Sequence, residues 1–173
     1  MNRPASELFA AQAMQYIPRL RRYARALTGD ASAADDLVQD TLERALIKQS
    51  LWREGTDLRA WLFTVMHNVF INQIRSKAAA RTVPIDDAIA ELPQPQSADR
   101  LEIRDLDIAL QALPEDQRTV LLLVGLEQMT YDEAARVLEV PVGTVMSRLS
   151  RGRERLRRLM RGLPDASLLK VVK

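Results

Sequence analysis

The sequence predicts an all-α protein: two small helical domains joined by a flexible acidic linker. In both halves of the chain, apolar residues recur at the three- and four-residue spacing of helices, with few of the alternating β-branched runs that indicate strands. Between Ala78 and Leu101 this periodicity lapses. Pro84, Pro93 and Pro95 lie there, beside the polar run PQPQSAD, which is typical of a linker.

Charge is segregated along the chain in the order basic, acidic, basic, although the net charge is only +2. Residues 1–80 carry 11 Lys and Arg against 8 Asp and Glu, residues 81–129 carry 4 against 10, and residues 130–173 carry 10 against 5. Such asymmetry indicates two modules that face polyanions, separated by a segment with a different role.

Composition excludes several classes of protein. The 173 residues are 47% apolar and 28% charged, as in globular domains, and no apolar run reaches the roughly 18 residues of a membrane span. The N-terminus lacks the features of a secretory signal, so we expect a cytoplasmic protein without membrane insertion. The chain has no cysteine and one histidine, His67, which we interpret as a partly buried polar residue. We therefore expect no catalytic residue, metal site or cofactor.

Three helices are predicted in the N-terminal half: residues 11–27, 33–49 and 57–81. The first ends at Gly29, because glycine tolerates a positive φ. Ser32, with Asp35 three residues later, has the spacing of an acidic capping box and is predicted to cap the second helix. Residues 52–56 interrupt the pattern before the third helix begins.

The C-terminal half predicts a helix-turn-helix. Leu101 to Ala112 is helical, and Pro114 stands at the start of the next helix, where its missing N–H is harmless. Thr130 and Glu133 form a T-x-x-E capping box, and the turn EVPVG then leads into an arginine-rich helix. Small and apolar residues are predicted to form the shared core of the two helices: Ala134, Ala135, Leu138, Val140, Val145 and Leu149.

The arginine-rich helix has the pattern of a DNA reader. Val145, Leu149 and Leu156 share one face at 100° per residue, which predicts the packed side. The outward residues are Ser147, Ser150, Arg151, Glu154 and Arg158, and the flanking arginines are Arg148, Arg153, Arg155 and Arg157. Arginine and serine on one face suit base edges, and the flanking cations suit phosphates. The alternative is that these arginines only complement the helix dipole.

The second predicted helix has an acidic side. Its apolar residues are Leu37, Val38, Leu42, Ala45 and Leu46, and its polar side carries Asp36, Gln39, Asp40 and Glu43. An acidic face would repel nucleic acid and suits a basic protein partner. The alternative is a solvated charged face.

Aromatic and cationic residues are interleaved around the third predicted helix. They are Trp52, Trp61, Phe63 and Phe70, with Arg53, Arg59, Arg75 and Lys77. Such a mixture can bind unstacked bases and their backbone, although burial in the core is the alternative for each aromatic ring. Asn68 lies among apolar residues, where we expect a buried amide that needs partners, such as the edges of a flipped base.

Three segments carry a family resemblance: ADDLVQDTLERAL, DLRAWLFTVMHNVFINQIR and ALPEDQRTVLLLVGLEQMTYDEAARVLEVPVGTVMSRLSRGRERL. From about Tyr16 to Leu159, the chain resembles regions two and four of bacterial extracytoplasmic-function (ECF) sigma factors, group IV of the sigma-70-like factors. The resemblance implies four parts: a region-two domain over residues 8–80, a linker over 81–100, a region-four domain over 101–163 and a tail over 164–173.

The resemblance also implies roles for particular residues. Core RNA polymerase would be bound through its β′ clamp helices and β flap, with Asp36, Gln39, Asp40 and Glu43 on the clamp. The downstream promoter element would be bound by Trp52, Arg59, Trp61, Asn68, Arg75 and Lys77, with Asn68 holding a flipped non-template base. The upstream element would be bound by Thr144, Met146, Ser147, Arg148, Ser150, Arg151 and Arg155. The acidic linker would pass near the active-site cleft.

The implied activity is promoter-specific initiation without a cofactor, restrained by an anti-sigma factor. The active protein would be associated with the nucleoid, and the restrained protein could be held at the membrane by its partner. Two alternatives remain open: a stand-alone helix-turn-helix regulator and a sigma-like decoy that sequesters an anti-sigma factor.

Overall fold

A computed structural model describes residues 3–80 and 98–161, and the regular structure of these residues is entirely helical. The elements are α1 (Arg3–Met14), α2 (Ile17–Thr28), α3 (Ala31–Ile47), a 3-10 turn (Gln49–Leu51), α4 (Leu58–Ala80), α5 (Ala98–Gln111), α6 (Glu115–Gly125), α7 (Tyr131–Leu138) and α8 (Val142–Met160). The predicted all-α class is confirmed. Most of the predicted linker, with its three prolines, and the whole predicted tail lie outside the described residues.

The predicted first helix is wrong in one respect, because the chain forms two helices there. α1 ends at Met14 and α2 begins at Ile17, with Pro18 in its first turn. Proline has no N–H to donate and its ring clashes with the carbonyl four residues earlier, so one helix cannot run through this position. The predicted end of α2 is confirmed: Gly29 has φ 72° and its N–H donates to the Arg25 carbonyl at 2.9 Å.

The cap of α3 is also different from the prediction. Asp30, not Ser32, is the N-cap: it is extended, with φ −131°, and its Oδ1 accepts a hydrogen bond from the Ala33 N–H at 2.7 Å. Ser32 lies inside the first turn of α3 and is exposed. Aspartate and serine are both good N-cap residues. Asp30 is the cap because its backbone is extended, as an N-cap requires.

Three helices enclose the core of the N-terminal domain. α2 packs on α3 and α3 packs on α4, and their buried residues include Leu20, Tyr23, Leu27, Leu37, Leu62, Phe63 and Met66. The Tyr23 and Phe63 rings meet edge to face, with centroids 5.1 Å apart. Leu46, which was expected on the buried side, is 42% exposed, and the neighbouring Ile47 is 80% exposed.

The C-terminal domain contains the predicted helix-turn-helix. The capping box is present, since the Glu133 N–H donates to Thr130 Oγ1 at 3.2 Å and the Thr130 N–H donates to Glu133 Oε2 at 2.7 Å. In the turn between α7 and α8, Glu139 has φ 54° and fills a left-handed position without glycine. α8 packs on α6, and the buried residues of α8 are Val145, Leu149 and Gly152.

The two domains pack against each other. α2 contacts α5 and α6, and α4 contacts α7. Among the described residues, no helix is long and apolar enough to cross a membrane. The packing brings part of α4 close to the helix-turn-helix, and a cleft described below lies between them.

Candidate polymerase and nucleic-acid interfaces

The acidic side of α3 lies on the surface, as predicted. Asp36, Gln39, Asp40 and Glu43 are all exposed. Gln39 Nε2 donates to Glu43 Oε1 at 3.0 Å, and Gln73 Nε2, from α4, donates to Asp40 Oδ2 at 2.8 Å. These bonds fix part of the acidic side against α4 and leave its carboxylates open to a partner.

Apolar residues adjoin this acidic side, and the sequence reasoning did not identify them as a surface. A groove of about 410 Å³ between α3 and α4 is lined by Asp40, Glu43 and Ile47, among others. Leu51, in the following 3-10 turn, is exposed as well. In the sequence, this surface is indicated by the apolar residues at the end of an otherwise acidic helix. The face therefore combines charge with apolar contact area, which suits a protein partner.

The residues predicted to bind the downstream element do not form one surface. Trp52 and Trp61 are half-buried and flank the buried Phe9, with ring centroids 5.6 and 5.8 Å from it. Lys77 lies in a different groove, beside Asp36 and Asp40. The tryptophans thus contribute to the core, and Lys77 belongs to the acidic side of the domain.

The prediction that Asn68 is buried is wrong, because its side chain is exposed. Asn68 and Arg75 line one side of a cleft of about 490 Å³, and the turn of the helix-turn-helix lines the other. Arg59 is held in ion pairs: its Nη2 lies 3.0 Å from Glu133 Oε1 and 3.8 Å from Asp57 Oδ2. Two of the six predicted residues, Asn68 and Arg75, are therefore brought together.

His67 lies in the same cleft and is half-buried, as expected. Its Nδ1 is buried and has no hydrogen-bond partner among the described residues. Burial, assisted by the positive charge of Arg148, lowers the pKa of His67 from 6.5 to about 4. The ring is therefore neutral at physiological pH.

α8 presents a polar face with arginine at its centre. Ser147, Ser150 and Arg151 are exposed, and Arg151 donates from Nε to the Ser147 carbonyl at 3.2 Å and from Nη2 to Ser147 Oγ at 3.4 Å. Met146 is exposed and Thr144 is half-buried. The structure brings these predicted upstream residues together on about two turns of helix.

The flanking arginines of α8 differ in their surroundings. Arg148 Nε lies 3.2 Å from Asp116 Oδ2 on α6, and Arg158 Nε lies 3.2 Å from Glu154 Oε1. Arg153 is exposed, and Arg155 is half-buried. The positive charge therefore continues along the helix, although parts of it are balanced by acidic neighbours.

Comparisons with known proteins agree with this architecture. The family model described as the sigma2 domain of PhyR matches residues 14–67, and the model described as sigma-70 region 4 matches residues 103–156. The first match covers most of α2 to α4, and the second covers most of α5 to α8.

Relatives match along most of the chain. The ECF RNA polymerase sigma factor EcfG of Rhodopseudomonas palustris is 37% identical over 162 residues, which cover 91% of this chain and 87% of that protein. SigM of Bacillus subtilis, another ECF sigma factor, is 32% identical, with 87% of this chain and 94% of that protein covered. The sigma factor RpoE of Bartonella quintana, solved with the anti-sigma factor NepR, matches with a TM-score of 0.73 and 35% identity, over 88% of this chain and 96% of RpoE.

Proposed function

Because this chain belongs to the extracytoplasmic-function family of RNA polymerase sigma factors, we propose a separate role in initiation for each of its exposed faces. The protein is an alternative sigma factor that directs promoter-specific transcription initiation. Its relatives are transcription factors and not enzymes. The assignment of residues to core polymerase and to DNA is the proposal.

The acidic side of α3 binds core polymerase. Asp36, Gln39, Asp40 and Glu43 contact the β′ clamp helices, and region four contacts the β flap. The support is the exposure of these side chains and the adjoining Ile47, because a mixed charged and apolar face suits a protein surface better than a phosphate backbone.

α4 and the loop before it act on the downstream element. Asn68 binds a flipped non-template base and Arg75 its backbone, which their exposure in one cleft supports. Trp52 and Trp61 hold the loop 52–57 through their packing on Phe9. Lys77 and Arg59 are not assigned to this cleft, because Lys77 lies beside Asp36 and Asp40 and Arg59 is paired with Glu133 and Asp57.

The exposed face of α8 reads the upstream element. Arg151 and Ser147 contact base edges, with Thr144, Met146 and Ser150 beside them, and Arg148 and Arg155 contact phosphates. The observation that carries this assignment is the pair of bonds from Arg151 to Ser147, which orients the guanidinium on the exposed face before DNA arrives. A preoriented arginine loses less conformational freedom on binding guanine.

An anti-sigma factor restrains this chain. Two similar structures support this: RpoE of Bartonella quintana was solved with NepR, and CnrH, 27% identical with a TM-score of 0.65 over 91% of this chain and 98% of CnrH, was solved with the cytosolic domain of CnrY. The sigma factor acts in the cytoplasm, at the nucleoid when active, and a membrane-bound partner would hold it at the membrane.

The first experiment combines the purified protein with sigma-free core polymerase and fragmented genomic DNA from its host, and maps transcript starts. Discrete starts that share paired upstream motifs are expected. A stand-alone regulator would bind duplex DNA tightly without polymerase, and a decoy would bind an anti-sigma factor and give no starts.

Two substitutions then separate the faces. Arg151→Ala is expected to reduce promoter-directed starts about 5- to 150-fold, at about 1–3 kcal/mol per bidentate base contact, and to spare core binding. Asp40→Arg is expected to weaken core binding. Arg136→Ala on α7 and Asp105→Arg on α5 are matched controls at exposed positions. Normal core binding by Asp40→Arg would show that the polymerase face is assigned wrongly.

A further inference from the structure

One apolar side chain lies on the exposed part of the helix that is assigned to the upstream element. Met146 is 50% exposed. The other exposed residues of α8 as far as Arg158 are glycine, polar or charged: Gly143, Ser147, Ser150, Arg151, Arg153, Glu154 and Arg157. The buried residues of this helix are on another side, and Met146 is not among them. The core of the domain therefore does not account for a methionine at this position.

The position of Met146 is more informative than its exposure, because single apolar residues are common on protein surfaces. Met146 is followed directly by Ser147 and is one helical turn from Ser150. Arg151 lies five residues on, which is about 7.5 Å along the helix axis. The thioether therefore lies on the same stretch of helix as the polar groups that are assigned to base edges.

The surface beside Met146 is open. Gly143, one turn earlier on α8, is exposed, and a Cβ at this residue would meet no atom within 4 Å. The fold thus leaves room for another molecule to approach the helix closely here. Methionine has three rotatable bonds and a polarisable sulfur, so its side chain can adapt to an apolar group that enters this space.

The chemistry of a thioether limits what Met146 can recognise in DNA. Methionine has no hydrogen-bond donor and is only a weak acceptor, so it cannot identify a base through the ring nitrogens, carbonyl oxygens and amino groups of the major groove. The apolar group that the major groove presents is the 5-methyl group of thymine. Contact between this methyl group and the thioether would remove apolar surface of both from water.

We propose that Met146 determines the specificity of one position of the upstream element by binding the 5-methyl group of a thymine. The inference rests on the proposed DNA-reading role of α8 and adds a base preference that Arg151 and Ser147 do not supply. Base pairs are about 3.4 Å apart, so this A·T pair lies within about three base pairs of the pair that Arg151 contacts.

The test replaces thymine by deoxyuridine, which pairs with adenine in the same way and lacks only the methyl group. The probes are duplexes of a promoter recovered by mapping transcript starts, in which each thymine of the upstream element is replaced in turn on either strand. Fluorescence anisotropy measures binding of the holoenzyme, formed from the full-length protein and core polymerase.

The wild type is compared with Met146→Ala, with Met146→Leu and with a matched control, Met160→Ala. Met160 is an exposed methionine at the end of the same helix. Circular dichroism establishes that each variant is folded.

Wild-type holoenzyme is expected to lose affinity about fourfold at one deoxyuridine position, the value for exposing one buried methyl-sized group. Met160→Ala is expected to behave in the same way. Met146→Ala is expected to bind the unmodified promoter at least fourfold more weakly and to lose no further affinity at that position. Met146→Leu keeps the sensitivity to deoxyuridine, because leucine is apolar and similar in size.

Three results would overturn the role of Met146: an upstream element without an A·T pair, no position sensitive to deoxyuridine, or a sensitive position that stays sensitive in Met146→Ala. In the last case, the methyl group is bound by another residue.

Arg151→Ala in the same assay separates this inference from the proposed function. If Arg151→Ala weakens binding and one of the three results is found, only the role of Met146 is wrong. If Arg151→Ala binds as tightly as the wild type, or if no promoter is recovered, the assignment of α8 to the upstream element is wrong as well.

Discussion

Acidification is expected to destabilise the protein through His67. The ring is half-buried beside Arg148, and these surroundings lower its pKa from 6.5 to about 4. Between these two pH values the unfolded chain holds a proton that the folded protein does not. The contribution of neutral His67 to the free energy of unfolding is therefore fully present above about pH 6.5. It is lost as the pH falls towards 4.

The size of the effect follows from the two pKa values. For one group titrating at 6.5 when unfolded and at about 4 when folded, the free energy of unfolding decreases by about 2 kcal/mol between pH 7.5 and pH 5. Solvent still reaches part of the ring, and acidic groups line the same cleft, among them Glu115, Asp116 and Glu139. Both features reduce the penalty, so we expect a loss of about 1–2 kcal/mol.

The assay is urea unfolding at pH 7.5 and pH 5, followed by circular dichroism, for the wild type and for His67→Gln. Burial also raises the pKa of Glu115, and this shift acts in the opposite direction to that of His67. Because such contributions are common to both proteins, the difference between their two pH dependences reports His67. Equal losses of stability in the wild type and His67→Gln would refute the reasoning.

Three further substitutions test the packing by urea unfolding at pH 7.5. Thr130→Ala removes the side-chain half of the capping box and is expected to cost about 1 kcal/mol, whereas Thr130→Ser should cost little. Gly29→Ala introduces a Cβ at a residue with φ 72°, 2.7 Å from the Gln111 side chain. The strained backbone alone should lower the free energy of unfolding by about 1–2 kcal/mol. Combining it with Gln111→Ala should therefore not restore wild-type stability. Leu149→Ala leaves a cavity between α8 and its neighbours and should cost about 2–5 kcal/mol, more than the same change at exposed Leu106.

Local features of the fold were readable from the sequence because their causes are local. The T-x-x-E box at Thr130 and the glycine that ends α2 each depend on residues within one helical turn, and both predictions are confirmed. The break between α1 and α2 was missed, although its cause, Pro18, is also local. The choice between Asp30 and Ser32 as the cap was not readable, because both residue types suit the position and only the path of the chain decides.

The candidate sites were less predictable because they depend on how the domains meet. The helical periodicity places Asn68 on a face of α4 that carries both polar and apolar residues. Whether its side chain is exposed depends on which neighbouring helices cover that face. Arg59 was expected to bind DNA, and in the structure it is paired with Glu133, 74 residues away in sequence. The partners of Glu127 are more than 100 residues away, and no local signal indicates them.

The segregation of charge along the chain also affects how the two domains pack. A basic α2 and an acidic middle segment attract each other, as the ion pairs of Glu127 with Arg19 and Arg22 show. Glu127, from that acidic segment, occupies a pair of arginines in the way that a phosphate would. The pair of arginines that would suit a polyanion therefore also joins the two domains of the protein. Because both interactions are electrostatic, raising the salt concentration should weaken the ion pairs of Glu127 where their arginines are exposed, at 37% for Arg19 and 54% for Arg22, and should weaken phosphate binding more.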